Sequence, residues 1–243
     1  MTETDLPARF LLTASAAQAA ALLPALGRVM LGLNRAGATH ERIGVVEHAR
    51  AEDGYLHIGG AAQDARLDLA PVARLVADRS SVMRGKVYPR IEFQAEDGSV
   101  LLSVTGMEGA EPFDAELRDW AGTPQDAPPR PAAPTEPNAA PVPQDAGGAA
   151  LAALCDSGGE VEIRLGTGVA QQGWRGRIEA VKPAMGFANI IRPDFHLHLR
   201  DGSVPALRAT PEGFVALDAA GEPTGLVLRP LDAAAAAALA GLA

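Results

Sequence analysis

The sequence predicts an α+β protein made of two duplicated halves, each an antiparallel β-sheet with flanking helices, joined by a Pro/Ala-rich linker. Three observations lead to this prediction. Short runs of alternating apolar and polar residues end at glycine-containing turns, which is the pattern of β-hairpins. Proline concentrates in one central segment of the chain. The motifs that precede this segment recur after it in the same order, which indicates an internal duplication.

The central segment, residues 122–148, contains eight prolines among Ala, Thr, Gln and Asp, and Val142 is its single large apolar residue. Such a composition cannot bury enough apolar surface to offset the entropy of ordering the chain, so we interpret it as a solvated linker. The chain then divides into a first half, residues 1–121, and a second half, residues 149–243. Both halves have the size of a small domain.

Within each half, three motifs follow one another: an apolar helical stretch, an alternating strand and a closing hairpin. They lie at residues 22–29, 65–69 and 91–100, and again at residues 151–161, 195–199 and 214–223. An alanine-rich run at residues 231–242 predicts a terminal helix. Because no strand–helix–strand pattern with a phosphate-binding glycine loop is present, the sequence does not predict a nucleotide-binding fold.

Composition excludes several classes of partner. The formal net charge of −9 repels phosphate backbones and anionic lipid head groups, so we expect no nucleic-acid partner. The apolar stretch near the N-terminus is too short and too interrupted to predict membrane insertion, and its acidic start differs from a signal peptide, so we expect a cytoplasmic protein. Cys155 is the single cysteine, which rules out an intramolecular disulfide and a cysteine-rich metal site.

Three segments resemble a known family. Residues 26–44, LGRVMLGLNRAGATHERIG, are similar to the segment that opens the first repeat of HemS/ChuX-type haem-utilisation proteins, with its LG-x-VM and VHE-x-x-G elements. Residues 186–200, GFANIIRPDFHLHLR, resemble the family's W-x-NV-x-x-P-x-FNLHLR motif, with Asn189 and His198 in register. Residues 217–222, LDAAGE, resemble its LFDA-x-GE turn. Together these segments and their order cover most of the chain outside the linker.

Members of this family bind haem in a cleft between two sheet halves and act as intracellular haem carriers or haemin-degrading factors. The resemblance therefore implies haem as ligand or cargo, with a haem transporter or a haem-degrading protein as a further partner. We expect a haem-binding and haem-transport protein of iron acquisition. Two alternatives stay open: a haemin-degrading enzyme, and an interaction protein that keeps only the fold.

The sequence also departs from the family at three places. Ala70 stands where the family has the arginine of a DLR strand, and residues 208–211, RATP, replace its VRKP motif. The third departure is the linker, which contains no histidine, whereas the family carries its usual axial histidine on a long helical connection. We therefore sought the haem ligands among the remaining histidines and arginines.

Haem iron is usually held by histidine, and basic groups often bind the propionates. His40 matches the VHE position, and we predict it as the metal ligand, with Arg35 and Arg42 supplying positive charge. His198 and Arg200 are further candidates for haem contacts in the second half. A structural role for His40, as a half-exposed residue of a strand, is an open alternative.

His196 and His198 are two residues apart on a predicted strand, so their rings share the face opposite its apolar side chains. They either line the cleft or serve the structure. As a metal site the pair supplies only two ligands, and Asp194 needs a bend in the strand to become a third. No Ser–His–Asp or Cys–His arrangement can be assembled, so a hydrolase is not predicted.

Overall fold

A computed structural model of the chain describes residues 6–126, 145–166 and 168–242. The predicted linker therefore falls mostly outside the described residues, because these exclude residues 127–144. A strand at Ala121–Pro124 and a helix that begins at Ala146 enter the predicted linker from its two ends. Among the described residues, no helix has the length and apolar character needed to cross a membrane.

Up to residue 126 the structure contains the following strands and α-helices in chain order: β1 (Arg9–Leu12), α1 (Ala16–Leu22), β2 (Arg28–Arg35), β3 (Ala38–Val45), β4 (His48–Glu52), β5 (Tyr55–Gly59), β6 (Asp64–Asp68), β7 (Arg74–Asp78), β8 (Val82–Met83), β9 (Lys86–Val87), β10 (Arg90–Gln94), β11 (Val100–Gly106), α2 (Ala110–Leu117) and β12 (Ala121–Pro124). From residue 145 onward it contains α3 (Ala146–Ser157), β13 (Glu160–Gly166), β14 (Ala170–Arg177), β15 (Lys182–Ala184), β16 (Phe187–Ile191), β17 (Phe195–Arg200), β18 (Ala206–Thr210), β19 (Gly213–Leu217), β20 (Pro223–Pro230) and α4 (Ala233–Ala240).

The chain divides into two compact units. The first unit comprises Met1–Gly32, Arg42–Pro131 and Gly168–Ala170. The second unit comprises Leu33–Glu41, Ala132–Thr167 and Gln171–Ala243. The turn between β2 and β3, together with the end of β2 and the start of β3, therefore belongs to the second unit. The boundaries predicted from the sequence place this turn in the first half.

In the first unit, six strands lie in the order β12-β1-β7-β10-β11-β2, and three more in the order β6-β5-β4. The hairpin predicted at residues 91–100 is formed by β10 and β11, with Gly98 in the left-handed region at a φ of +85°. Phe10, Phe93 and Phe113 are fully buried in the core of this unit. A buried ion-pair network also lies here, in which Arg9 contacts both Asp78 and Glu92.

The helix predicted at residues 22–29 lies earlier in the chain than expected. Ser15 caps α1 through a reciprocal capping box with Gln18, which fixes the start of the helix. Pro24 then lies in a 3₁₀ turn, Leu23–Leu26, and Gly27 has a φ of +69°. Proline and a left-handed glycine both interrupt α-helical geometry. The chain therefore enters β2 at Arg28, within the residues 22–29 that were predicted to be helical.

In the second unit, the order β18-β19-β20-β13-β14 forms one group of strands, and β3-β17-β16-β15 forms another. Asp145 caps α3, which ends at a left-handed Gly158, and Asp232 caps α4. Helix α4 lies within the predicted residues 231–242, whereas α3 begins before the predicted residues 151–161 and gives way to β13 at Glu160. Trp174 stacks on Phe195 at a centroid distance of 4.5 Å, and both rings are buried.

The same strand order occurs in both units. The order β7-β10-β11-β2 of the first unit recurs as β18-β19-β20-β13 in the second. Likewise β6-β5-β4 recurs as β17-β16-β15. The corresponding strands β11 and β20 are each followed by a helix, α2 and α4. Antiparallel sheets with few helices confirm the predicted α+β class, and the repeated order is what a duplication produces.

Candidate functional site

Strand β17 separates an apolar face from a polar face within the second unit. Phe195, Leu197 and Leu199 are fully buried, whereas His196 and His198 alternate with them and keep 24% and 30% of their side-chain surface exposed. This result confirms the predicted alternation, which places both imidazoles on one face. Arg200, two residues further along, continues the same face and is exposed.

The neighbouring strand β16 fixes the ring of His198. Asn189 lies directly opposite His198, and its Oδ1 is 2.6 Å from His198 Nδ1. The amide nitrogen of Asn189 donates to the carbonyls of Lys182, Ala184 and Phe187 at 3.0, 3.3 and 3.1 Å, so the amide oxygen must face the histidine. Nδ1 of His198 is therefore the donor, and in the neutral ring the lone pair is on Nε2.

On the other side of β17, strand β3 contributes Glu41. One oxygen of Glu41 lies 3.1 Å from His196 Nδ1 and 3.7 Å from His198 Nε2. Burial alone would raise the pKa of this carboxyl group, but interactions with His196 and His198 lower the pKa from 4.5 to about 2. Glu41 is thus a carboxylate at neutral pH, and it faces two imidazoles.

An apolar cavity of about 460 Å³ opens on the same face. Its volume lies within the range of small-molecule sites in proteins. Met185 and Ile191 are large apolar side chains with 59% and 49% of their surface exposed. The cavity is lined by Thr39, Lys182, Ala184, Met185, Phe187, Asn189, Ile191 and His198. One imidazole, held by one amide, therefore stands in an otherwise mainly apolar wall.

His40 lies on the opposite face of β3 and is fully buried. Its Nδ1 is 3.1 Å from Gln172 Oε1, its Nε2 is 3.2 Å from the carbonyl oxygen of Ile163, and its ring contacts that of Phe195. The expected half-exposed position is thus wrong. His40 does not line the cavity, and coordination of iron would require it to leave both oxygen partners.

The two arginines expected beside His40 are also placed away from the cavity. Arg35 donates from Nε to the carbonyl oxygen of Thr224 at 3.0 Å, within the second unit. Arg42 belongs to the first unit and is 7% exposed. Of the predicted haem-binding residues, His198 is therefore the one that lines the cavity, and Arg200 shares its strand face.

Two residues of the site were not predicted from the sequence. Glu41 is the third partner of the histidine pair, and it lies 155 residues from His196 in the chain. Asp194, the third ligand considered from the sequence, accepts a hydrogen bond from Trp174 Nε1 at 3.0 Å instead. Asn189 is part of the family motif, but its role as partner of His198 depends on strand register, which the motif does not state.

A second polar cluster lies on the other group of strands in the second unit. Glu162 is buried and accepts hydrogen bonds from Arg164 and Arg175, and Arg229 pairs with its other oxygen. Burial raises the pKa of Glu162, but hydrogen bonds from Arg175 and the charge of Arg164 outweigh it, and the pKa is lowered overall. Glu162, Arg164 and Arg229 line a smaller cavity of about 220 Å³ with no histidine in its wall.

Comparison with known proteins gives a match to solved structures alone. No family model matches the chain, and no curated protein matches it. The haem oxygenase ChuS of Escherichia coli superposes with a TM-score of 0.76 at 18% identity, covering 97% of this chain and 89% of ChuS. The chain has the ChuS fold.

Two further structures agree with this result. The haem-binding protein PhuS of Pseudomonas aeruginosa superposes in its apo form with a TM-score of 0.72 at 16% identity, covering 97% of this chain and 87% of PhuS. The holo form gives a TM-score of 0.68 at 20% identity, covering 92% of this chain and 82% of PhuS. The resemblance to haem-utilisation proteins that the sequence motifs indicate is thereby confirmed for the fold.

Proposed function

We propose that this protein binds haem on the open face of the strands β3, β17, β16 and β15, with His198 as the axial ligand of the iron. The observation that carries the proposal is the apolar cavity with one oriented imidazole in its wall. The shared fold supports it, because ChuS is a haem oxygenase and PhuS a haem-binding protein. Haem transport in iron acquisition is the role that we assign to this binding.

The lining suits a porphyrin. Phe187, Ile191 and Met185 present apolar surface, part of which is exposed without a ligand. Each square ångström of apolar surface removed from water contributes about 25 cal/mol, so covering these side chains with a flat macrocycle stabilises the complex. In this proposal burial supplies most of the affinity, and the iron–histidine bond selects the orientation.

His198 has the tautomer that iron coordination requires. A histidine ligand binds iron through an unprotonated ring nitrogen, and the opposite N–H commonly donates to a neighbouring oxygen. Asn189 Oδ1 accepts from Nδ1 at 2.6 Å, so Nε2, which lies 3.7 Å from an oxygen of Glu41, is the ring nitrogen left to coordinate iron. Asn189 therefore acts as a positioning residue for the ring.

Two cations suit the propionates. Arg200 is exposed on the same strand face as His198, and Lys182 lines the cavity from β15. Arginine binds carboxylates through two parallel hydrogen bonds, and lysine acts as a point charge. We assign the propionate contacts to these residues rather than to Arg35 and Arg42, whose side chains are turned elsewhere.

The open character of the site favours carriage of haem over its degradation. An enzyme that activates oxygen on the iron excludes water from the reacting side, whereas His198 is 30% exposed and Met185 is 59% exposed. We therefore propose that the protein receives haem and passes it to a partner, such as a haem transporter or a haem-degrading protein.

Titration of the tag-free protein with haemin, followed by the Soret band, tests the binding. We expect saturation at one haem per chain, and a shifted, weaker complex for His198→Ala. His57→Ala is the matched control, because His57 is exposed on β5 of the first unit, and its spectrum should equal that of the wild type. If His40→Gln changes the Soret band and His198→Ala does not, the ligand is His40 and the proposal of His198 is wrong.

A second measurement separates carriage from degradation. The haem complex is incubated with ascorbate in air, and the Soret band is followed together with the absorbance of bile pigments. A carrier keeps its Soret band, apart from the slow loss that free haemin in the same buffer also shows. Formation of a biliverdin-like product at a rate that His198→Ala abolishes would assign the haemin-degrading activity instead.

A further inference from the structure

Glu41, His196 and His198 form a compact group of possible metal ligands on the polar face of β3 and β17. One donor atom from each residue can be chosen so that all three atoms lie within 4.8 Å of one another. The carboxylate oxygen is 3.1 Å from His196 Nδ1 and 3.7 Å from His198 Nε2. Within the part of the chain that the structure describes, this group is the one that brings three such ligands together.

These separations fit a single ion. Zinc binds nitrogen and carboxylate oxygen at about 2.0–2.2 Å, so neighbouring donor atoms in a tetrahedral site stand roughly 3.4 Å apart. The distances from Glu41 to the two imidazoles lie on either side of this value. The third separation, between the two imidazoles, is no more than 4.8 Å, so the rings must turn toward each other to close the group around an ion.

The surrounding residues pre-arrange one of the ligands. Ligating histidines usually donate their second ring N–H to an oxygen, and loss of that partner weakens metal binding about 10–100-fold. His198 has such a partner in Asn189, whose own amide is held by three backbone carbonyls. An ordinary pair of histidines on a surface strand does not require an amide fixed in this way.

We propose that Glu41, His196 and His198 bind one divalent transition-metal ion of the zinc class, with at least one coordination position open to solvent. Two imidazoles and one carboxylate suit zinc, iron(II), cobalt and nickel, whereas magnesium and calcium prefer oxygen ligands throughout. The side chains are 18%, 24% and 30% exposed, so water or a small ligand can reach the ion. The proposal does not depend on haem binding.

The competing explanation is a surface ion pair. In that case Glu41 accepts hydrogen bonds from the imidazoles and no ion binds with useful affinity. The two explanations differ in stoichiometry, in ligand field and in the response to substitution. A metal site binds one ion per chain and loses it when any one of the three ligands is changed, whereas an ion pair gives no saturable binding.

The test is titration of tag-free, haem-free protein with zinc sulfate by calorimetry, and with cobalt(II) chloride by visible absorption. We expect one zinc per chain and intense cobalt bands typical of four or five ligands. Glu41→Gln and His196→Gln should each weaken zinc binding by at least about 10-fold. His57→Gln and Cys155→Ser are matched controls that should bind zinc as the wild type does, since neither residue belongs to the group.

Several outcomes overturn the proposal: no saturable zinc binding by the wild type, six-coordinate cobalt spectra like those of the aqueous ion, or zinc binding that Glu41→Gln and His196→Gln leave unchanged. Far-UV circular dichroism of each variant verifies its fold, and His196→Gln keeps the test valid if Glu41→Gln does not fold.

Zinc and haem share one ligand atom, so their binding should be exclusive. Both proposals use His198 Nε2, and zinc should therefore weaken haemin binding by the wild type but not by His196→Gln. Zinc binding without haemin binding would leave the metal site intact and refute the proposed function. Haemin binding without zinc binding would refute the metal site alone.

Discussion

His40 and Glu41 are adjacent in the chain, yet they lie on opposite faces of the same strand. His40 is fully buried, with an oxygen at each ring nitrogen and an aromatic ring against it. Glu41 faces two half-buried imidazoles and lies on the face that carries the apolar cavity. A histidine whose two ring nitrogens both have partners in the core therefore stabilises the fold, whereas a histidine with one fixed nitrogen is available to a ligand.

The largest expected effect concerns the buried face. Phe195→Ala removes a fully buried ring that contacts both Trp174 and His40, and should cost about 3–5 kcal/mol of unfolding free energy. Arg200→Ala on the same strand, but on the open face, should change stability by less than about 0.5 kcal/mol. Urea unfolding followed by circular dichroism measures both, and equal effects would contradict the assignment of the two faces.

His40→Ala should have the next largest effect. It leaves Gln172 and the carbonyl of Ile163 without the ring that they contact, and it opens a cavity beside Phe195. We expect a loss of about 2–4 kcal/mol. The control is His57→Ala, which removes an exposed ring and should be neutral. A stable His40→Ala variant that loses haem would instead assign a binding role to this histidine.

A smaller effect is expected from Glu162, a buried carboxylate that pairs with three arginines, whereas Glu41 faces two imidazoles. The pKa of Glu162 in the folded state is lowered from the ordinary 4.5 by Arg175 and Arg164 despite burial. The stabilisation by its charge is therefore complete above pH 4.5 and is lost as the pH falls through the lower, folded-state pKa. Wild type and Glu162→Gln should differ in thermal midpoint at pH 7 and converge in acid; a constant difference would contradict this.

The smallest effect on stability is expected for His198→Ala. The ring is 30% exposed and makes one hydrogen bond of 2.6 Å to Asn189, so its loss should cost no more than about 1 kcal/mol. The same substitution should shift the Soret band of the haemin complex, weaken haemin binding and weaken zinc binding. Calorimetry gives the thermal midpoint of the variant, and the two titrations give its affinity for haemin and zinc. If His198 were a structural residue, His198→Ala would lower the thermal midpoint as strongly as His40→Ala does.

The sequence predicts the polar face of β17 because apolar and polar residues alternate there without exception. Residues 195–200, FHLHLR, present three large apolar side chains to one side, and their burial requires the two histidines to point to the other. The hairpins follow from the same pattern, with glycine at the turns. Alternation is a local property, so it can be read without knowledge of the fold.

The same method does not predict which side of its strand His40 faces. Residues 39–42, THER, contain no apolar side chain on either face, so local contrast does not indicate which face is buried. The buried face is chosen by Phe195, Gln172 and Ile163, all of which lie more than a hundred residues away in the chain. Polar partners in a core compensate for the burial of an imidazole, and those partners are known only from the tertiary structure.

The fold class, the repeated order of motifs, the terminal helix α4 and the shared face of His196 and His198 could all be predicted from the sequence. Each follows from periodicity or turn residues within a few positions. The pairing of β3 with β17 is known only from the tertiary structure. This pairing brings Glu41 into contact with His196 and close to His198. Strand pairing between distant segments depends on how whole units bury their apolar faces, and no short stretch of sequence contains that information.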